Sequence, residues 1–365
     1  MTGIGKRILE MSRTVAAVGM LVSITSALTL APAIAHASGK LVLAFTGGEY
    51  EKTLRKTIFD RFTKETGIEV VFVSGSLGDR WGKAKAMTEG GQMDWDLIEV
   101  GSGDLYIPDR NALLLDVGQK CELVPKAFIE GAPGTCNRYG VLPGVGSTYL
   151  VANQEGFPNG VPSSWADFFD TKKFPGPRGL SNFGDPWRVL VGALLADGVP
   201  KDKLFPLDLD RSFHKLDQIK PEIVLWWKTG DQIQRAFREK EVVLAPMWGT
   251  RTNFLIKEGL PLKPIWNGAT LNTAYWSIFK SAPNKDNAIK FLNWYFDHPD
   301  VEASSNKAQN AAPVTKQALA QFTPDEQKDL PTSEENMKGV VIPDYEWLAQ
   351  HNNEITERWN SWLAQ

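Results

Sequence analysis

Continuous apolar positions in KLVLAFT (residues 40–46) predict a buried strand. The glycine turn GGEY then leads into an amphipathic helix with Leu54, Ile58, Phe59 and Phe62 on one side. Gly67 ends that helix, and IEVVFVSG follows as a second strand, alternating at first and then continuously apolar. Strand, helix and strand make a β-α-β unit, which implies a parallel pair joined by a right-handed crossover. A third strand, DWDLIEV, runs into GSGD. Ligands of open α/β sheets bind beyond the carboxyl ends of the strands, where GGEY and GSGD both fall.

A loop-rich segment separates this unit from the strand STYLVAN, and from PSSWADFFD onwards a fresh α/β pattern begins. It contains a helix over 185–198, the helix RSFHKLDQIKP, the segment WWKTGDQIQRAFREK and the strand EVVLAPMW. After PLKPIWNG and TAYWSIFK, the helix PNKDNAIKFLNWYFDHP has the pattern of material returning to the first unit. The expected organisation is two α/β lobes: 38–148 and 149–272, with 273–365 returning to the first lobe and adding C-terminal helices. Two crossings, near 147–153 and 270–278, would form a hinge beside a cleft.

The amino-terminal pattern differs from everything after it. Lys6, Arg7 and Arg13 precede an apolar run from Thr14 to Ile34, which ends in Ala35-His36-Ala37. This is the layout of a signal peptide cleaved after Ala37. Gly19, Ser23, Thr25, Ser26 and Pro32 interrupt the run, which weakens the competing reading as a membrane anchor. An exported, periplasmic protein is therefore expected. The whole chain has a net charge of −3, and loss of the basic leader makes it more acidic, which argues against nucleic acid as a partner. Cys121 and Cys136, the only cysteines, are expected to join in a disulfide outside the cytosol.

Enzyme motifs are thin. His214, His298 and His351 stand alone, no His/Cys cluster has metal-ligand spacing, and there is no phosphate-binding loop or nucleophile elbow. A non-enzymatic protein with neither metal nor cofactor is the expectation, and a secreted enzyme or a purely structural role finds no support. The thirteen tryptophans are more informative. Those in WNSWLA and FLNWYF have the spacing of packed helices. Trp187, Trp248, Tyr275 and Trp276 instead fall at the ends of elements, where aromatic walls of a cleft would stand.

The helix in SNFGDPWRVLVGALLADG carries an oddity. Asp185 and Pro186 are expected as N-cap and first residue, and Gly198 as the terminator. Arg188 then falls in the first turn, where the helix dipole disfavours a cation. Either it pairs with Asp185 on the surface, or it awaits an anion.

The segments FDRFTKETGIEVVF, DWDLIEV, PSSWADFFDTKKFPGPRGL, ALLADGVPKDKLFPLDLDRSFHKLDQIKP and KSAPNKDNAIKFLNW together resemble the solute-binding proteins of ATP-driven importers. The similarity lies with the branch named for spermidine and putrescine binding, which also holds γ-aminobutyrate receptors. The resemblance implies an α/β, two-lobed periplasmic-binding-protein fold of type II, a ligand cleft between lobes, and an ABC permease as partner for a monomeric receptor. Polyamine receptors hold ammonium groups with acids. Here the segment before YWSIF reads LNTAYW, with Ala274 where the family usually carries an aspartate, and Arg188 falls near another expected acid. Trp248 falls where a wall residue is expected.

One acid lost and one base gained favour a ligand carboxylate, which an arginine grips through bidentate, charge-assisted hydrogen bonds. The expected ligand is a small carboxylate-bearing amine, a γ-aminobutyrate-like amino acid or a betaine-like zwitterion, with a polyamine as the alternative. Arg188 would take the carboxylate, with Trp187, Trp248 and Tyr275 as walls and main-chain donors at Gly47, Gly48 and Ser102. Arg251 is a second basic candidate. Asp185, Asp210, Glu49 and Asp104 are the candidates to meet the amine.

Overall fold

The computed structural model describes residues 39–182 and 184–365. The leader expected over 1–37 lies outside the described residues. Eleven strands form two sheets among them. They are β1 (Gly39–Phe45), β2 (Ile68–Ser74), β3 (Leu97–Gly101), β4 (Cys136–Asn137), β5 (Gly140–Val141) and β6 (Gly146–Asn153). β7 (Arg178–Ser181), β8 (Ile223–Trp227), β9 (Leu244–Trp248), β10 (Leu262–Asn272) and β11 (Ala274–Ile278) complete the set.

The first sheet has the order β2-β1-β3-β11-β5-β4. β1 lies parallel to β2 and β3, as the β-α-β pattern requires, whereas β11 returns antiparallel to β3. Leu41–Phe45 are buried throughout, the signature of a central strand covered on both faces. The helical run over 49–66 buries Leu54, Ile58, Phe59 and Phe62, and Gly67 closes it in the left-handed conformation. Helix Lys285–Phe296 returns to this core through Phe291, Leu292 and Tyr295.

The second sheet runs β10-β6-β9-β7-β8, with β7 parallel to both β8 and β9. Alternate residues of β6 feed two cores, Leu150 and Ala152 on one face, Tyr149 and Val151 on the other. The C-terminal helices Tyr345–Gln350 and Asn352–Leu363 pack on the first of these through Leu348, Ile355, Trp359 and Trp362. Their apolar stripes are helical in spacing, but the partner surface is assembled only in three dimensions.

The chain passes from one sheet to the other between β5 and β6 and again between β10 and β11. These passages are adjacent, because Gly146 and Asn272 are paired in the β6–β10 ladder. The helix Trp187–Ala196 starts later than its caps imply. Pro186 occupies the N-cap position, with no side-chain cap. Asp185 is not the cap because its carboxylate is engaged by Arg188. Gly198, at φ +80°, closes the far end as expected, with Val199 N–H donating to Leu194 O over 3.0 Å. Cys121 and Cys136 are disulfide-bonded, with Cα atoms 5.9 Å apart. No described helix is long and apolar enough to cross a membrane.

Candidate functional site

A cleft of about 430 Å³ opens where the carboxyl ends of β1, β2 and β3 face the ends of β8 and β9. Both halves of the molecule therefore contribute the end of a sheet at which parallel strands expose turns and helix starts.

The wall from the first sheet begins at Gly47 and Gly48. A side chain at Gly47 would put its Cβ 2.5 Å from Ser74 Oγ. Gly48 sits at φ +73°, and a Cβ there would clash with the Asp231 carboxylate across the cleft. Only glycine supplies this turn without strain and lets the walls approach so closely. Behind it, Glu99 points from β3 into the cavity and is 6% exposed. Its carboxylate accepts hydrogen bonds from Tyr50 (2.5 Å) and Thr46 Oγ1 (3.2 Å). Burial, reinforced by Glu99, pushes the Tyr50 hydroxyl well above its ordinary pKa, so it stays a donor. Arg80, also buried, donates to the main-chain oxygens of Ala44 (2.8 Å) and Glu99 (2.7 Å). Desolvation lowers its pKa and the Glu99 charge opposes that effect.

The second wall is cationic. Arg188 lines the cleft from the first turn of its helix, donating Nε to Thr270 Oγ1 (3.2 Å) and Nη1 to Asp185. Its Nη2 makes no hydrogen bond to the described residues. The guanidinium also stands 4.4 Å from the Trp187 ring centroid. Arg251, 3% exposed, donates Nη1 to Asp231 (2.8 Å) and Gln234 (2.9 Å). Its Nη2 reaches across to Gly47 O at 3.0 Å, a direct hydrogen bond between the walls. Burial lowers the Arg251 pKa, and Asp231 counters the shift. Lys228 and Trp248 complete this side, the Trp248 ring standing edge-on to Trp227 at 5.3 Å.

The expected site residues divide cleanly. Gly47, Gly48, Asp185, Arg188, Trp248 and Arg251 line one cavity. Trp187 does not: it is 6% exposed and packs edge-on against Tyr345 in the second core. Tyr275 faces away because strand residues alternate; Ala274 and Trp276 take the cleft side, and the Tyr275 hydroxyl donates to Gly134 O. Ser102 is outside the lining, its N–H already donating to Thr273 O at 3.1 Å.

Among the candidate acids, Asp210 is 89% exposed and pairs with Arg358, while its neighbour Asp208 caps the helix Leu209–Asp217. Glu49 pairs with Lys52 at the surface. Asp104 is buried and held by Arg110, Gly101 N–H and Trp81. Burial raises its pKa while Arg110 opposes the rise. The sequence reading missed two acids of the cleft, Asp231 and, inside DWDLIEV, Glu99. A charged residue between apolar neighbours in a strand that ends at the cleft was the available signal.

Across the described residues, four cationic side chains (Arg80, Arg188, Lys228, Arg251) and three anionic ones (Glu99, Asp185, Asp231) line the cleft. No cluster of three or more His, Cys, Asp or Glu that could hold a metal occurs among the described residues. The arrangement provides donors for an anionic group and the Trp248 ring on one wall, and a buried acceptor on the other.

Residues 57–333 match the family model described as bacterial extracellular solute-binding protein. The chain is 33% identical over 343 residues to the gamma-aminobutyric acid-binding protein of Pseudomonas aeruginosa, covering 92% of this chain and 94% of that one. It is 24% identical over 287 residues to the spermidine/putrescine-binding periplasmic protein of Salmonella typhimurium, covering 75% and 78%. An ABC transporter substrate-binding protein from Bradyrhizobium japonicum superposes with a TM-score of 0.78 at 30% identity, covering 89% of this chain and 99% of that one. The two-lobed α/β architecture and the expected resemblance are thereby established. The chain belongs to the bacterial extracellular solute-binding protein family.

Proposed function

We propose that this protein is the periplasmic receptor of an ATP-driven importer for a small carboxylate-bearing amine, a γ-aminobutyrate-like amino acid or a betaine-like zwitterion. It closes around the ligand by motion at the paired passages near Gly146 and Asn272, then delivers it to a membrane permease. The observation that carries this reading is Arg188, which lines the cleft with a guanidinium edge that the described residues leave open. A ligand carboxylate there gains charge-assisted hydrogen bonds and competes with Asp185 for the same cation. Trp248 supplies the apolar wall for the methylenes.

The charge balance supports the carboxylate over a polyamine. A dication or trication would enter a cleft whose lining is already more cationic than anionic, and like charges at close range cost several kcal/mol. The gamma-aminobutyric acid-binding relative is also the more similar of the two kinds of relative. Isothermal calorimetry of the purified receptor with γ-aminobutyrate, glycine betaine, putrescine and spermidine tests the proposal. Saturable one-to-one binding of a carboxylate-bearing amine is expected. Tight binding of a polyamine with none of any carboxylate would overturn it.

A further inference from the structure

Among the described residues, Glu99 is the acid of this cleft whose carboxylate pairs with no cationic side chain. Asp185 and Asp231 each pair with an arginine on their own wall. Among the described residues, the Glu99 carboxylate is hydrogen-bonded by the neutral hydroxyls of Tyr50 and Thr46, and the nearby Arg80 directs its hydrogen bonds at main-chain oxygens instead. A carboxylate offers about four acceptor sites, so two remain for a guest. Buried acceptors are normally filled, and these two belong to a residue that lines the cavity and is 94% buried. The register of the sheet sets Glu99 beside Trp276, which lines the same region of the cleft.

We infer that Glu99 accepts hydrogen bonds from the ammonium group of the ligand, and that this selects a primary amine over a quaternary one. The assignment rests on the receptor reading above and narrows it from two ligand classes to one. The zwitterion lies across the cleft, carboxylate toward Arg188 on the second-sheet wall and ammonium toward Glu99 on the first-sheet wall. A trimethylammonium group carries the same charge but no N–H donor. It would cover the Glu99 oxygens with methyl groups and leave their remaining acceptor sites unfilled. Selectivity for the primary amine therefore comes from hydrogen bonding, beyond what charge alone provides. Because the two ends of the ligand bind opposite walls, only a closed cleft satisfies both at once.

The experiment is calorimetry of the wild-type receptor and the Glu99→Gln variant with γ-aminobutyrate and its N-trimethyl analogue. The wild type should prefer the primary amine by about tenfold or more. In E99Q, affinity for γ-aminobutyrate should fall about tenfold or more and the preference between the two ligands should disappear. Circular dichroism of the variant verifies its fold. If it is unfolded, the wild-type preference alone decides, since equal binding of the two ligands overturns the inference without any mutant. Affinity of E99Q for γ-aminobutyrate within twofold of wild type also overturns it, as does a preference that survives the substitution and is therefore steric. Failure of the wild type to bind any carboxylate-bearing amine is a different result, and it overturns the receptor reading instead.

Discussion

On the second-sheet wall, Arg188 and Arg251 each have an acidic partner, Asp185 and Asp231. On the first-sheet wall, the acid Glu99 rests on hydroxyls and its nearest cation binds main chain. In the proposed binding mode the first arrangement is an exchange, in which a ligand carboxylate takes the place of the Asp185 carboxylate at Arg188. The second is a buried carboxylate whose side-chain partners are two neutral hydroxyls, in a wall where Arg80 directs its hydrogen bonds at main chain. In the proposed mode, charge attraction on one wall and donor counting on the other would discriminate between ligands by different means. Charge separates anions from cations, whereas hydrogen-bond counting separates amines of equal charge.

The largest effect is expected from Arg188→Ala. Removing one partner of a desolvated charge pair costs about 2–5 kcal/mol, so calorimetry should record a loss of about thirtyfold or more for γ-aminobutyrate. An unchanged affinity would break the comparison, because the second wall would then have no carboxylate anchor. A stability effect of similar size should come from replacing both Cys121 and Cys136 by serine. The disulfide closes a loop with a sequence separation of 15, worth about 3 kcal/mol by chain entropy. Denaturant unfolding should show that loss while ligand affinity stays within about twofold, since neither cysteine lines the cleft. A parallel loss of binding would mean that the loop helps to shape the first-sheet wall.

Trp248→Ala should weaken binding by about tenfold through lost apolar contact. Tyr275→Phe is the sharper control, because the hydroxyl bonds Gly134 O away from the cleft. It should cost about 1 kcal/mol of stability with no change in affinity, and any selective loss of binding would move Tyr275 back to the wall. The smallest effect concerns pH. Arg211, Arg238 and Arg138 hold Asp197, Glu258 and Asp116 below the usual carboxylate range. A depressed folded pKa means that these pairs stabilise the protein fully above the ordinary carboxylate pKa of about 4. That contribution disappears as the pH falls through this range toward the folded values. Unfolding curves from pH 7 into this acid range should show stability falling, and substituting Asp197 or Glu258 by the amide should flatten the decline.

Much of the fold was legible because its strands and helices carry strong local periods. Within KLVLAFT, Leu41–Phe45 are apolar at every position of a central parallel strand, and Leu54, Ile58, Phe59 and Phe62 repeat at helical spacing. Arg188 was legible for a different reason: it contradicts its local context, and a residue that offends the helix dipole invites a search for a partner. Glu99 offended nothing strongly enough, since a single acid in a strand usually faces solvent. Trp187 and Tyr275 were misplaced because adjacent residues in helix and strand point in different directions. A shift of one position turned a wall into a core residue, leaving Arg188 rather than Trp187, and Ala274 and Trp276 rather than Tyr275, on the cleft.

The sequence alone determined the α/β class, the parallel β-α-β start, the closeness of Cys121 and Cys136, and the cation at 188. Each depends on neighbours along the chain or on pairing chemistry with only one possible partner. The tertiary structure decided which acids face which bases, that the C-terminal helices cover the second core, and that Gly48 meets Asp231 across the cleft. Those facts join residues far apart in sequence, and neither periodicity nor local propensity carries information about which distant surface an element will meet.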